Sequence, residues 1–134
     1  MTRFPTPDMT LTHILVVEDL DASVRWYSDV LGATLFRSYG GSSAVFDFTG
    51  SWLLLVTGGE PTADKPAVSF VAPDRAERVD HSFTIRVTDC RAAYDTLLGR
   101  GAVFLTPPHD WGSEIRCFFR DPDGHLFEIR EIPG

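Results

Sequence analysis

Thr12-His13-Ile14-Leu15-Val16-Val17-Glu18-Asp19 and Ser82-Phe83-Thr84-Ile85-Arg86-Val87-Thr88-Asp89 are two versions of one phrase. Each is a β-rich run that ends on an acidic residue able to cap a helix. The first is followed by a helical stretch, Leu20 to Leu31, and then Gly32-Ala33-Thr34-Leu35-Phe36. The second is followed by Cys90 to Leu98 and then Gly101-Ala102-Val103-Phe104-Leu105. Each half closes on a hairpin with a glycine and an apolar strand. These are Asp47-Phe48-Thr49-Gly50 before Trp52 to Val56, and Asp121-Pro122-Asp123-Gly124 before Leu126 to Ile129. Such a unit is too long for a solenoid repeat and too short to bury a good core alone. The expected fold is therefore α+β: two βαβββ modules whose mixed sheets form a ligand cleft, with the helices on the outer face.

Working outward, residues 1–10 read as an extended leader with two prolines, 11–59 as the first module, 60–80 as a linker and 81–132 as the second module, one domain in total. Strands are expected at Leu11–Val17, Leu35–Tyr39, Ser43–Phe48, Trp52–Thr57, Phe83–Val87, Val103–Leu105, Glu114–Arg120 and Leu126–Glu131. Val24, Tyr27, Val30 and Leu31 share a helical face that Gly32 ends, and a second helix runs from Cys90 to Arg100. A short strand at Ala67–Val71 inside the linker and a loop from Thr106 to Gly112 complete the reading.

The chain has 134 residues, 43% apolar, and a net charge of −7 with no Lys/Arg run. That supports a real core and argues against nucleic-acid binding, which needs a basic face. No apolar run reaches membrane-spanning length. Cys90 and Cys117 form neither a disulfide framework nor a metal-type pair, and read as small buried residues. A soluble cytoplasmic protein is expected.

The run from His13 to Gly32, together with Asp121-Pro122-Asp123-Gly124-His125-Leu126-Phe127-Glu128, resembles the vicinal oxygen chelate superfamily. That group includes glyoxalase I, fosfomycin-resistance enzymes, extradiol dioxygenases and bleomycin-resistance proteins. The resemblance implies a homodimer and, in metal-using members, one ligand on the first and last strands of each module. Carried over residue by residue, those positions are Thr12, Leu54, Ser82 and Glu128. Only Glu128 is a good metal ligand. His13 and His81 lie one residue away, in opposite directions. The expectation is thus no metal or other cofactor, with a divalent ion on His13, His81 and Glu128 as the alternative.

Strand parity sorts the remaining candidates. Ser82, Thr84 and Arg86 form a polar row opposite Phe83, Ile85 and Val87. The apolar row must pack under a helix, so the polar row faces the cleft. The same rule sends Leu126, Glu128 and Arg130 inward, with Arg116 and Phe118 across the turn and Thr12, Ile14, Trp52 and Leu54 from the first module. His13 and His81 read as strand-end residues on the helix side. Arg86 and Arg116 facing one carboxylate leave a positive surplus, which suits an anionic ligand, unless Glu128 simply forms an internal ion pair. His109 and Trp111 are placed either over the mouth or pinned to the sheet edge.

Two functions follow. The first is a small-molecule binding protein of the bleomycin-resistance type, in which an aromatic or anionic ligand meets Trp52, Phe118, Leu126, Thr12, Ser82, His109 and Trp111, held by Arg86 and Arg116. The second is a lyase, isomerase or dioxygenase, metal-dependent or with Glu128 as general base.

Overall fold

The computed structural model describes residues 3–132. The first module runs β1 (Thr12–Val17), α1 (Leu20–Asp29), β2 (Thr34–Tyr39), β3 (Ser43–Phe48) and β4 (Ser51–Thr57). The second runs β5 (Phe83–Arg86), α2 (Cys90–Gly99), β6 (Val103–Phe104), β7 (His109–Asp110), β8 (Ile115–Arg120) and β9 (Leu126–Glu131). The two repeated acidic residues cap the helices alike: the Asp19 carboxylate accepts from Ala22 N at 3.1 Å and the Asp89 carboxylate from Ala92 N at 3.0 Å. α1 stops two residues short of Leu31. Val30 N and Leu31 N both donate to Trp26 O, Ala33 N reaches Tyr27 O, and Gly32 supplies the positive φ (82°) that turns the chain out.

Each module makes one mixed sheet, ordered β1-β4-β3-β2 and β5-β9-β8-β6, so the α+β reading with two βαβββ halves holds. In each, the first strand pairs parallel with the last, Thr12 with Trp52 and Thr84 with Glu128. A register shift between Leu35 and Arg37 takes Phe36 out of the ladder, and its ring stands edge-on to Trp52 at 5.3 Å.

The core is shared rather than divided. Leu15, Phe46 and Leu55 of the first module and Cys117, Phe119 and Ile129 of the second belong to one buried cluster. α1 bridges them: Trp26 lies 6.2 Å from the Phe119 ring and 5.9 Å from Phe127, and the Tyr27 hydroxyl donates to Asp121 Oδ2 at 2.7 Å. The turn at 121–124 is pinned from both sides. Asp121 Oδ1 accepts the backbone N–H groups of Asp123 and His125, while Asp123 Oδ1 accepts Glu18 N at 2.9 Å. Burial raises the Asp121 pKa despite the Tyr27 hydrogen bond, and raises that of Tyr27 well above its usual value.

Two expectations fail locally. Ala67–Val71 is not a strand; its only ladder feature is a bridge from Phe70 to Gly59, because Ala67 sits at φ 66° and breaks the extended run. The loop expected at Thr106–Gly112 contains a strand, β7. Gly112 at φ 87°, its N–H bonded to Asp110 Oδ1, folds His109–Asp110 back onto β8. No helix of the described residues is long and apolar enough to cross a membrane.

Candidate functional site

Four strands of the second module place four side chains side by side. Arg86 on β5 is the register partner of Arg130 on β9, Arg130 of Arg116 on β8, and Arg116 of His109 on β7. Partners in register share a sheet face, and neighbouring strands lie about 4.8 Å apart. The next rung is Thr84, Glu128 and Phe118. This face is opposite the one that carries Phe127 and Ile129 into the core.

Like charges directly across a ladder repel, and the sheet answers them with two carboxylates. Glu114 accepts from Arg116 Nη1 at 2.9 Å, and its Oε2 lies 3.2 Å from Arg130 Nε. That second contact is an ion pair without a well-aimed hydrogen bond, since Arg130 Nε is buried and lacks a partner. Glu128 is further from Arg116, 3.8 Å to Nε, and its Oε1 accepts the Thr84 hydroxyl at 2.5 Å. Instead of one carboxylate against Arg86 and Arg116, the face holds three arginines and two carboxylates. Glu114 was missed, although parity could have found it: it stands two residues before Arg116 in an extended chain. The surplus of one positive charge survives the correction. It resides on Arg86, which makes no side-chain hydrogen bond or ion pair among the described residues.

Aromatic rings frame Arg116. Its guanidinium carbon lies 5.5 Å from the Trp111 ring centre and 5.9 Å from that of Phe118, and His109 packs on Trp111 at 4.3 Å. Trp111 remains 58% exposed, open to a further stacking partner.

The other candidates are placed elsewhere. Arg86 and Thr84 also line a pocket of about 280 Å³ with Leu31, Phe48, Leu53 and Phe127, at the seam between modules. Thr12 and Trp52 line a shallow hollow with His13 and Phe83, and Leu126 lines a pocket of about 310 Å³ with Ile14, Val16 and His81. Ser82 is exposed just ahead of β5. Thr12, Trp52 and Leu126 are therefore not gathered with the arginine row into one cavity. The open face of the first module is mostly apolar: Ile14, Leu54 and Val45 form one rung, and Trp52 stands on the next between Thr12 and Asp47.

His13 belongs to the opposite, core side, as the register partner of buried Leu53. Its ring lies 5.1 Å from His81 and 4.6 Å from Phe83; burial first, then the neighbouring His81 and His125, lowers its pKa. His125 is buried with Nε2 2.8 Å from Val16 O.

With that geometry in view, the family is decided by a profile match over residues 10–129 to the Glyoxalase/Bleomycin resistance protein/Dioxygenase superfamily. The chain belongs to this superfamily. It is 31% identical over 122 residues to the metallothiol transferase FosB of Lysinibacillus sphaericus, covering 90% of this chain and 80% of that protein. A glyoxalase/bleomycin resistance protein/dioxygenase from Nocardioides superposes with a TM-score of 0.71 at 26% identity, over 97% of this chain and 86% of that one. The fosfomycin resistance protein FosX of Listeria monocytogenes, solved as a mutant with Mn(II) and a dihydroxypropylphosphonic acid, superposes at 0.62 with 19% identity, over 89% and 86% of the two chains.

A divalent cation needs several oxygen or imidazole donors converging on one point. Among the described residues no three His, Cys, Asp or Glu side chains do so. Glu128 already takes the Thr84 hydroxyl and faces Arg116, and Thr12 and Ser82 offer only hydroxyls. His13 and His81 lie beside Phe83, whose side chain points to the face opposite Glu128. Within one chain the donor set does not fit the ion.

Proposed function

We propose that this chain is a small-molecule binding protein of the glyoxalase/bleomycin-resistance type, cytoplasmic and homodimeric, that holds an aromatic or anionic ligand against the arginine row of its second module. The observation that carries the reading is the in-register row Arg86, Arg130, Arg116 and His109, whose charge the two nearby carboxylates do not fully balance. Guanidinium groups hold carboxylate or phosphoryl oxygens in two-point contacts. The exposed Trp111 ring beside Arg116 offers a flat apolar surface to the rest of the ligand. Thr12, Ser82, Trp52 and Leu126 enter this reading as contributors from the seam and, in a dimer, from a second copy.

A second reading, a transferase, lyase or dioxygenase, is favoured by the 31% identity to a metallothiol transferase. The metal-bound FosX relative makes a divalent metal plausible here, so the expectation of no cofactor gains no support from the family. Glu128, only 8% exposed and hydrogen-bonded to Thr84, would then be the acid–base group.

Calorimetry separates the two. The parent protein should bind aromatic carboxylates or phosphonates and not their neutral amides or esters, with no Mn(II) present. Equal affinity for acid and amide would overturn the anion reading. Acid binding that appears only once Mn(II) is added would favour the metal-dependent enzyme.

A further inference from the structure

Cys90 and Cys117 lie on the core side of the sheet whose other side carries the arginine row. Cys90 opens α2, and its Sγ donates toward Ile129 O at 3.7 Å. Cys117, on β8, is the register partner of that same Ile129 on β9. Both side chains thus meet over one residue, in the layer between α2 and the sheet, and they are 0% and 2% exposed. The thiols are close enough to influence each other's ionisation, and the charged groups near them are Glu131, whose carboxylate accepts Cys90 N at 2.8 Å, with Asp89 and Arg91 beside Cys90 and Glu128 near Cys117.

We propose that Cys90 and Cys117 are a latent disulfide pair, closed by a hydroperoxide small enough to enter the layer beneath α2. One thiolate attacks a peroxide oxygen, the O–O bond breaks, and a sulfenic acid forms. The departing hydroxide takes up the proton that the thiol lost. The second sulfur then attacks the sulfenic sulfur; the S–S bond forms, the S–OH bond breaks, and the hydroxyl leaves as water with the second thiol's proton. Two thiols lose two electrons in all, and hydrogen peroxide becomes two waters.

Burial sets the rate. Desolvation pushes both thiols up, Cys117 to about 12, so thiolate is scarce near neutral pH and closure is slow. Each pH unit gained below that value should speed it about tenfold, because the thiolate is the nucleophile. Arg116 and Phe118 flank Cys117 in sequence but point to the opposite face. Closure would therefore clamp β8 to α2 and leave the arginine row accessible. A cross-link that matches native geometry constrains the unfolded chain and raises the melting temperature.

The test is to treat the folded, reduced protein with hydrogen peroxide at several pH values, remove the peroxide, denature, alkylate and weigh the protein. The expected product takes up no alkylating groups, has lost two hydrogens, yields a Cys90–Cys117 cross-linked peptide and forms faster as pH rises. It should melt higher than the reduced protein and revert with dithiothreitol. Cys90→Ser and Cys117→Ser should each give instead a sulfenic acid that dimedone traps. The proposal is overturned if both thiols remain alkylatable at every pH, if only intermolecular disulfides form, or if the cross-linked protein melts lower than the reduced one.

Discussion

The two modules share one topology and one core, yet their open faces differ in chemistry, mostly apolar in the first and rich in guanidinium groups in the second. In the first, β1, β4 and β3 present Ile14, Leu54, Trp52 and Val45, with Thr12 and Asp47 flanking Trp52. In the second, β5, β9, β8 and β7 present Arg86, Arg130, Arg116 and His109, with Glu128 and Glu114 among them. The side that packs together is apolar in both, because burying it is what allows either half to fold. The outer side is free to vary. The repeat thus records a fold on one side of each sheet and a specialisation on the other.

The shared core gives the largest test of this contrast. Phe46 and Phe119 belong to different modules and are both fully buried in one cluster. Phe46→Ala and Phe119→Ala should each cost about 3–5 kcal/mol in chemical denaturation, with a single transition in both variants. Two separated transitions would show that the modules fold independently. Next in size is the cross-module bond from Tyr27 to Asp121. Tyr27→Phe leaves a buried carboxylate short of one donor and should cost about 1.5–3 kcal/mol; a change within error would remove the turn at 121–124 from the module contact.

Smaller effects probe the charged face. Glu114→Gln should tighten binding of an aromatic acid severalfold, since Arg116 and Arg130 lose the carboxylate they share, and should lower stability by about 1 kcal/mol. Unchanged affinity would mean that those guanidinium groups do not meet the ligand. Smallest is the pH response at the seam. The His13 pKa lies below its unfolded value, so the folded state resists its protonation. Stability should therefore be unaffected well above about pH 6.5, fall as pH drops below that unfolded-state value, and level off once pH is below the folded-state pKa. His13→Gln should melt with a shallower decline over that window; identical pH profiles would contradict the assignment.

Much of this was legible before the structure. The repeat fixed the topology because its caps, glycines and apolar strands recur in the same order. Period-two parity set Arg86, Arg116, Phe118 and Glu128 apart from Phe127 and Ile129, since each row of a half-buried strand has one destination. Three things were not legible. The fold-back of His109–Asp110 depends on how Gly112 and Asp110 close a turn, and a loop of mixed polarity does not announce that. Glu114 stands one residue ahead of β8; parity puts it on the Arg116 face but does not reveal that its carboxylate sits between two arginines. Thr12 and Trp52 stand on the other sheet, and Leu126 stands two rungs from Arg130 at the opposite end of β9, so none of the three is gathered with the arginine row. Nothing in a single strand's pattern reports the angle between two sheets.

The central claim is that the unbalanced guanidinium of the second module selects an anion, and Arg86 is where the claim is most exposed. Calorimetric titration of an aromatic carboxylate into the parent protein and Arg86→Met measures it directly. The account predicts a loss of about 1.5–3 kcal/mol in the variant, the range for a hydrogen bond to a charged group, with the neutral amide binding both proteins equally weakly. Equal acid affinity in parent and variant would contradict it.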